Sequence, residues 1–309
     1  LFFPGQGQVC HSFCSFCFRW AQFIGDKNLR FSNKEAEQLH TYLAKHKKIT
    51  DLLITGGDPM VMKTDHLVSY LEPLLRPEFK HVQTIRIGTK SLSFWPQRFV
   101  NDADADALLA LFSRLVKAGK HVALMAHFNH WLEMSTLMTQ EAIQRIRASG
   151  VVIRTQSPLL NHINNDPDIW AQMWREQVRL GMVPYYMFVE RDTGARHYFE
   201  VPLARTWEVY RQAIQKVSGL ARTARGPSMS KGPGKIEIHG VSEINGEKVF
   251  VLRFIQARNP DWVQRPFFAK YDIDATWLDQ LRPAFGEKKF FFQDEYDAML
   301  LKQISPRAY

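Results

Sequence analysis

Cys10, Cys14 and Cys17 are the only cysteines of the chain, and they fall within one short segment. Their spacing, Cys-x3-Cys-x2-Cys, is too tight and too odd in number for a disulfide framework. A 309-residue chain that is 45% hydrophobic can bury a core without such staples. A reducing, cytoplasmic compartment is the expectation. Three thiolates so placed can hold one metal centre. Structural zinc usually takes four protein ligands in separated pairs, and here only His11, adjoining Cys10, could close the set. A [4Fe–4S] cluster suits the spacing better, because three thiolates leave its fourth iron open. Zinc and redox-inert thiols are the alternatives.

Other residues invite the same weighing. Gly56-Gly57-Asp58-Pro59 follows an apolar run. Glycines there would let backbone approach a ligand, and Asp58 could accept from an ammonium group. The plainer reading is a strand-to-helix turn. The net charge of +9, from 40 basic against 31 acidic residues, raises the question of nucleic acid. Its basic residues are scattered, so no nucleic-acid partner is expected, and anionic small ligands account for the balance equally well. No apolar run is long enough to cross a membrane as a helix, and the 13% aromatic content excludes a disordered or collagen-like chain. The start at Leu1-Phe2-Phe3, without an initiator Met, reads as a chain cut at the start of a strand.

The elements that would position these residues alternate. Short apolar or β-branched runs at Leu1–Phe3, Asp51–Thr55, Gln83–Ile87, His121–Ala126, Val151–Thr155 and Val183–Phe188 read as strands. Between them lie helical patterns. Ser32-Asn33-Lys34-Glu35 reads as a capping box opening a helix to Lys48. Further helices are expected at Asp65–Leu75, Asp104–Ala118, Gln140–Ser149, Ile169–Leu180 and Leu203–Val217, the last four followed by Gly119, Gly150, Gly181 and Gly219. Six such units predict an α/β fold, a partial six-fold βα barrel of the TIM type, with ligands at the carboxyl ends of its strands. The barrel is expected over residues 1–217. Residues 218–309 form an extension: a Gly/Pro-rich loop over 225–235, a β-hairpin around Asn245-Gly246 and a cap.

At this point the motifs resemble a known family. Cys10-His11-Ser12-Phe13-Cys14-Ser15-Phe16-Cys17, with an aromatic before the last cysteine, is similar to the signature of radical S-adenosylmethionine enzymes. Gly56–Pro59 resembles their glycine-rich motif, which meets the methionyl amino group. The order of later motifs resembles the lysine 2,3-aminomutases: Cys17-Phe18-Arg19, Ile85–Lys90 running to Pro96-Gln97-Arg98, His127-Phe128-Asn129-His130, Gln156–Leu160, Pro184-Tyr185-Tyr186 and His197-Tyr198-Phe199. The resemblance covers Leu1 to Phe254. It implies a [4Fe–4S] cluster on Cys10, Cys14 and Cys17 and S-adenosylmethionine held by Gly56, Gly57, Asp58, Pro59, His127 and Gln156. It also implies pyridoxal 5′-phosphate carried covalently by Lys235, with Lys231 as the internal competitor, and a substrate carboxylate paired with Arg19.

Departures from the family pattern bear on substrate. The lysine enzyme holds the distant ammonium with two aspartates. One of these positions falls on Ser228; the other falls on Arg191 counting from Pro184, or on Glu190 counting back from His197. Arg191 would favour an anionic side chain, as in relatives resembling glutamate 2,3-aminomutase, whereas Glu190 would keep half of a cationic site. The reading is therefore an aminomutase-type isomerase acting on a small amino acid other than lysine, served by an external reductant such as flavodoxin or ferredoxin. A radical enzyme without the pyridoxal cofactor, and a non-catalytic iron–sulfur scaffold, are the rival readings. A homo-oligomer is compatible with the sequence, although the family's cysteines for intersubunit zinc have no counterpart after Cys17. The family arginine that helps hold the cofactor phosphate would lie upstream of Leu1.

Overall fold

The computed structural model describes residues 1–20, 36–191 and 194–304. The capping box at Ser32–Glu35 lies outside them. One sheet organises the chain, with nine strands following one another in chain order. They are β1 (Asp51–Ile54), β2 (Thr84–Thr89), β3 (His121–His127), β4 (Val152–Leu159), β5 (Val183–Val189), β6 (Arg225–Lys231), β7 (Gly234–Ile244), β8 (Glu247–Ala257) and β9 (Pro266–Lys270). Neighbours from β1 to β6 pair in parallel, and those from β6 to β9 antiparallel. The expected first strand is reduced to isolated bridging, with Phe2 parallel to Ile54, fixed by Phe2 N–H donating to Leu53 O at 2.8 Å and Thr55 N–H to Phe2 O at 3.0 Å.

The parallel strands are joined through helices, as crossover geometry requires. These are α1 (Ala36–Lys45), α2 (Thr64–Leu71), α3 (Ala105–Lys117), α4 (Leu137–Ala148), α5 (Pro167–Arg179) and α6 (Leu203–Gln215). In α3 the buried stripe Leu108, Leu111, Phe112 and Leu115 has the spacing of one helical face. On β2, Ile85 and Ile87 are fully buried in the same core, while Arg86 and Gly88 point the other way, into the barrel. Helix ends follow the glycines: Gly181 sits at φ +77° just past α5, where a Cβ would also strike the Arg147 guanidinium. The result is a partial α/β barrel, as expected. Among the described residues no helix is long and apolar enough to cross a membrane.

The segment expected as a Gly/Pro-rich loop is different. Residues 225–231 form β6, a further parallel strand beside β5, with Tyr186 opposite Arg225 and Phe188 opposite Ser228. Gly226 and Pro227 stand at its start, where irregularity is tolerated, and Met229 is fully buried. Gly226 is required there, at φ +138° and with its backbone against Met187. The true loop is the tight connection from Lys231 to Gly234. Beyond it the hairpin β7–β8 turns at Asn245-Gly246 as expected, both residues at positive φ. Strand β9 and a second core of Phe254, Trp262, Phe267, Trp277 and Phe292 complete the sheet, and Val189 and Leu203 join this core from the barrel side. A last helix, α7 (Gln293–Ile304), follows.

Candidate active site

The carboxyl ends of the parallel strands open on one cavity of about 380 Å³. The cysteine loop forms one wall. It leaves the Phe2 bridge and is pinned to the turn after β1 by Gly57 N–H donating to Gly7 O at 3.0 Å and Asp58 N–H to Val9 O at 2.8 Å. A Cβ on Gly57 would lie 2.5 Å from the Val9 carbonyl carbon, and one on Gly56 would lie 2.7 Å from Gly7 O. The close approach that demands these glycines is thus made to the segment before the cysteines. Both still line the cavity. Arg19 locks the same junction: its Nη1 donates to Gly56 O, its Nη2 to Gln8 Oε1 at 3.0 Å, and its guanidinium lies 4.8 Å above the Phe3 ring.

Cys10, Cys14 and Cys17 all line the cavity and are half-buried. Burial pushes the Cys10 thiol up to about 12 and Cys14 up to about 11, and raises Cys17 as well. Such thiols give up their protons only in exchange for a cation. Among the described residues no three His, Cys, Asp or Glu side chains converge on a point that would suit a single ion. An iron–sulfur cube is wider than one ion and takes its three thiolates on three separate irons, so a ring of thiols facing a common cavity fits it.

Asp58 is 6% exposed and its carboxylate is already occupied. It accepts from Met60 N at 3.0 Å, Thr89 Oγ1 at 2.7 Å, Lys90 N at 2.8 Å and Ser91 Oγ at 3.0 Å. It therefore ties the turn after β1 to the end of β2. Pro59 is buried behind the turn, where it opens a 3-10 segment, and does not line the cavity. His127 and Gln156 are partners across β3 and β4 and both line the cavity. Burial, with the Lys90 cation second, pulls the His127 imidazole down to about 3, so the ring is neutral. His130 is turned away, its Nδ1 accepting from Leu132 N–H at 3.2 Å, so the two histidines do not act as a ligand pair.

Sequence reasoning gave Lys90 no role. Its Nζ donates to Glu133 Oε1 and Asn129 Oδ1, both at 2.8 Å, and lies 4.6 Å from the Phe94 ring. Asn129 continues to Ser157 Oγ at 2.9 Å, and Asn164 Nδ2 donates to Asn129 O at 2.9 Å. The signal available in the sequence was alternation: Arg86 and Gly88 share the inward face of β2, and Lys90 continues their spacing just past its end.

The opposite wall belongs to β5–β7. Lys235 Nζ lies 4.1 Å from the Tyr186 ring and 5.1 Å from the Phe188 ring, inside the cavity. Burial lowers its pKa to about 8, helped by the nearby cations of Arg225 and Arg86. Lys231 is outside the cavity and paired with Asp279. Glu190, Arg191 and Ser228 all line the cavity. Two of their buried atoms, Arg191 Nε and Ser228 Oγ, have no hydrogen-bond partner. Glu190 is 7% exposed, and burial pushes its carboxyl up to about 8 against the opposing pull of Arg191. Every expected site residue except Pro59 therefore meets in one chamber.

A putative L-lysine 2,3-aminomutase of Aquifex aeolicus is 32% identical over 281 residues, which is 91% of this chain and 72% of that protein. The chain belongs to the lysine 2,3-aminomutase family. This is a family of radical S-adenosylmethionine isomerases, and membership implies S-adenosylmethionine and a four-iron cluster. The glutamate 2,3-aminomutase of Clostridioides difficile is 29% identical over 226 residues, 73% of this chain but only 50% of that protein. No protein-family model matches. Among solved structures, SuiB of Streptococcus suis gives a TM-score of 0.47 at 12% identity, covering 68% of this chain and 44% of its own.

Proposed function

We propose that this family member catalyses a 2,3-aminomutase reaction, moving an amino group between adjacent carbons of an amino acid whose side chain is anionic rather than that of lysine. The observation that carries the substrate class is the pair of unpartnered buried atoms, Arg191 Nε and Ser228 Oγ, in the cavity wall. A buried donor without a partner costs about 1–3 kcal/mol, which a ligand oxygen would recover. Neither position offers a carboxylate to a substrate ammonium. Glu190, held at about 8, is mostly neutral at physiological pH. A lysine side chain would therefore enter unpaired, and a site of this kind discriminates strongly.

When bound, a reduced cluster with S-adenosylmethionine supplies a carbon radical able to remove hydrogen, and pyridoxal 5′-phosphate supplies a carbonyl for the migrating amine. The chain's own residues do the rest. Cys10, Cys14 and Cys17 hold the cluster, while the Gly56–Asp58 turn, neutral His127 and Gln156 face S-adenosylmethionine. Lys235, with its amine partly neutral near pH 8, carries the pyridoxal cofactor, and Arg19 orients the substrate carboxylate. The walls of the cavity keep water and stray hydrogen donors from the radical. The electron comes from an external reductant of the flavodoxin or ferredoxin type.

The test is turnover. Reconstituted, reduced protein should form 5′-deoxyadenosine and a β-amino acid from a dicarboxylic α-amino acid, and Arg191→Ala should lose most of that rate. Equal or better turnover of lysine would sink the substrate assignment.

A further inference from the structure

Arg191 follows β5 and lines the cavity, and rings rather than acids hold it. Its guanidinium carbon lies 5.3 Å from the centre of the Phe18 ring and 6.0 Å from that of Trp277. Phe18 belongs to the cysteine loop and Trp277 to the segment after β9, so distant parts of the chain meet on this side chain. Among the described residues no carboxylate forms an ion pair with it. Arg98 shows the alternative. Fully buried, it gives Nη1 to Asp104 at 2.8 Å, Nε to Met60 O at 2.9 Å and Nη2 to Met62 O at 3.1 Å, and is spent on the fold. A carboxylate occupies the donor edge of a guanidinium, whereas a ring occupies its face and leaves the edge to a ligand.

Trp277 is 4% exposed and does not itself line the cavity. Its segment is tied down on both sides. Ala275 O accepts from Leu203 N–H at 2.8 Å, Thr276 Oγ1 donates to Glu200 Oε2 at 3.2 Å, and Asp279 pairs with Lys231 at the end of β6. The indole Nε1 has no hydrogen-bond partner, and among the described residues Arg191 Nε and Ser228 Oγ are the other buried side-chain atoms in that state. Ser228 lies opposite Phe188, three residues before Arg191, so all three belong to one corner of the fold. Leaving a buried donor unpaired is costly, and phenylalanine would fill the place without that cost. What the indole adds is the strongest ring face for a cation.

We propose that Trp277 is a positioning residue for substrate recognition: its ring, with that of Phe18, holds the Arg191 guanidinium at the cavity wall so that the donor edge meets the side-chain carboxylate of the substrate. This role rests on Arg191 being the contact for an anionic side chain, as proposed above, and it gives the segment beyond β9 a part in choosing the substrate. Trp277 acts through Arg191 and touches neither substrate nor cofactor. Without the ring the guanidinium samples rotamers that miss the ligand, and binding has to order it. The loss falls on the second carboxylate and spares the rest of the site.

The test titrates full-length protein calorimetrically with succinate and glutarate, and with butyrate as a ligand of one carboxylate. The parent should bind one dicarboxylate at least about tenfold more tightly than butyrate, and Arg191→Gln should abolish that preference. Trp277→Leu should weaken the better dicarboxylate by about five- to tenfold and leave butyrate unchanged, while Trp277→Phe should recover most of the loss. Trp277→Met, which fills more of the same space, is the second variant without a ring. Added to Arg191→Gln, Trp277→Leu should have no further effect on dicarboxylate binding, which a general loosening of the fold would not reproduce. Phe18→Leu makes the same test outside the second core and should weaken the dicarboxylate by about threefold. Thermal melting reports which variants are folded. In reconstituted enzyme Trp277→Leu should raise KM for the dicarboxylic amino acid far more than it lowers kcat. Unchanged dicarboxylate binding in every folded variant that lacks a ring, with Arg191→Gln impaired, overturns the clamp and leaves Arg191 as the substrate contact. A parent that binds butyrate as tightly as either dicarboxylate overturns the anionic-substrate reading and the clamp with it.

Discussion

At Glu190 burial and charge pull in opposite directions. The side chain is nearly inaccessible, and its carboxyl is raised from an ordinary 4.5 to about 8. Between those two pH values the folded chain keeps a proton that the unfolded chain has released. Stability therefore falls as pH rises through this window, and it levels off above it. Glu190→Gln should remove that slope, leaving the parent and variant alike below about pH 4.5 and the variant more stable above about pH 8. Urea midpoints taken across the range would show it, and parallel curves would reject the assignment. Lys235 gives the complementary case. With its pKa lowered to about 8, about a tenth of its amine is neutral at pH 7. Its reaction with a soluble aldehyde should rise through pH 8 rather than near 10.5, and Arg225→Gln should move that midpoint upward. The positions of both residues were legible in the sequence, Lys235 from its place after Gly232-Pro233-Gly234 and Glu190 through the count back from His197. Their protonation was not, because it depends on burial by strands far away in the chain.

The elements matter where two strand ends are held in register. Lys90 follows β2 and Glu133 follows β3, and their ion pair at 2.8 Å sits beside the cysteine loop with Lys90 9% and Glu133 22% exposed. Lys90→Met would leave Glu133 and Asn129 without their shared donor, at a cost of about 2–3 kcal/mol once partial exposure of Glu133 is allowed for. Lys90→Met/Glu133→Leu should cost clearly less than the two single changes added together, a coupling of about 1 kcal/mol or more by denaturant melting. Additive losses would show that the pair does not bridge the strand ends. Here the sequence was informative about elements and poor at their connections. Apolar runs and terminal glycines marked β1–β5 and α3–α5, because each is written in local periodicity. The strand β6 was hidden by Gly226 and Pro227, and its place is set by Met187 and Glu237, which belong to other strands. Asp58 shows the same limit: its position after β1 was plain, but its partners Thr89, Lys90 and Ser91 come from the end of β2.

Over the whole molecule, the barrel and the segment beyond residue 217 share one sheet. Strand β6 covers the edge of β5, and Val189 and Leu203 are buried in the same core as Phe254 and Trp277. A chain ending at residue 217 would lose both the neighbour of β5 and the cover over these side chains. Exposed parallel edges and apolar patches of this kind drive association. It would also lose Ser228, Ser230 and Lys235, and with them one wall of the cavity. Residues 1–217 alone should therefore be insoluble or aggregated, whereas the full chain should melt in a single transition by both tryptophan fluorescence and far-UV circular dichroism. Fluorescence samples both parts, because Trp170 and Trp174 lie in the barrel core and Trp262 and Trp277 in the second. Phe292→Ala, which opens a hole in the second core at 5% exposure, should cost about 3–5 kcal/mol and lower the common midpoint seen by both probes. A melt that splits into two steps, with the barrel signal unmoved by Phe292→Ala, would instead mean that residues 218–309 fold apart from the chamber they complete.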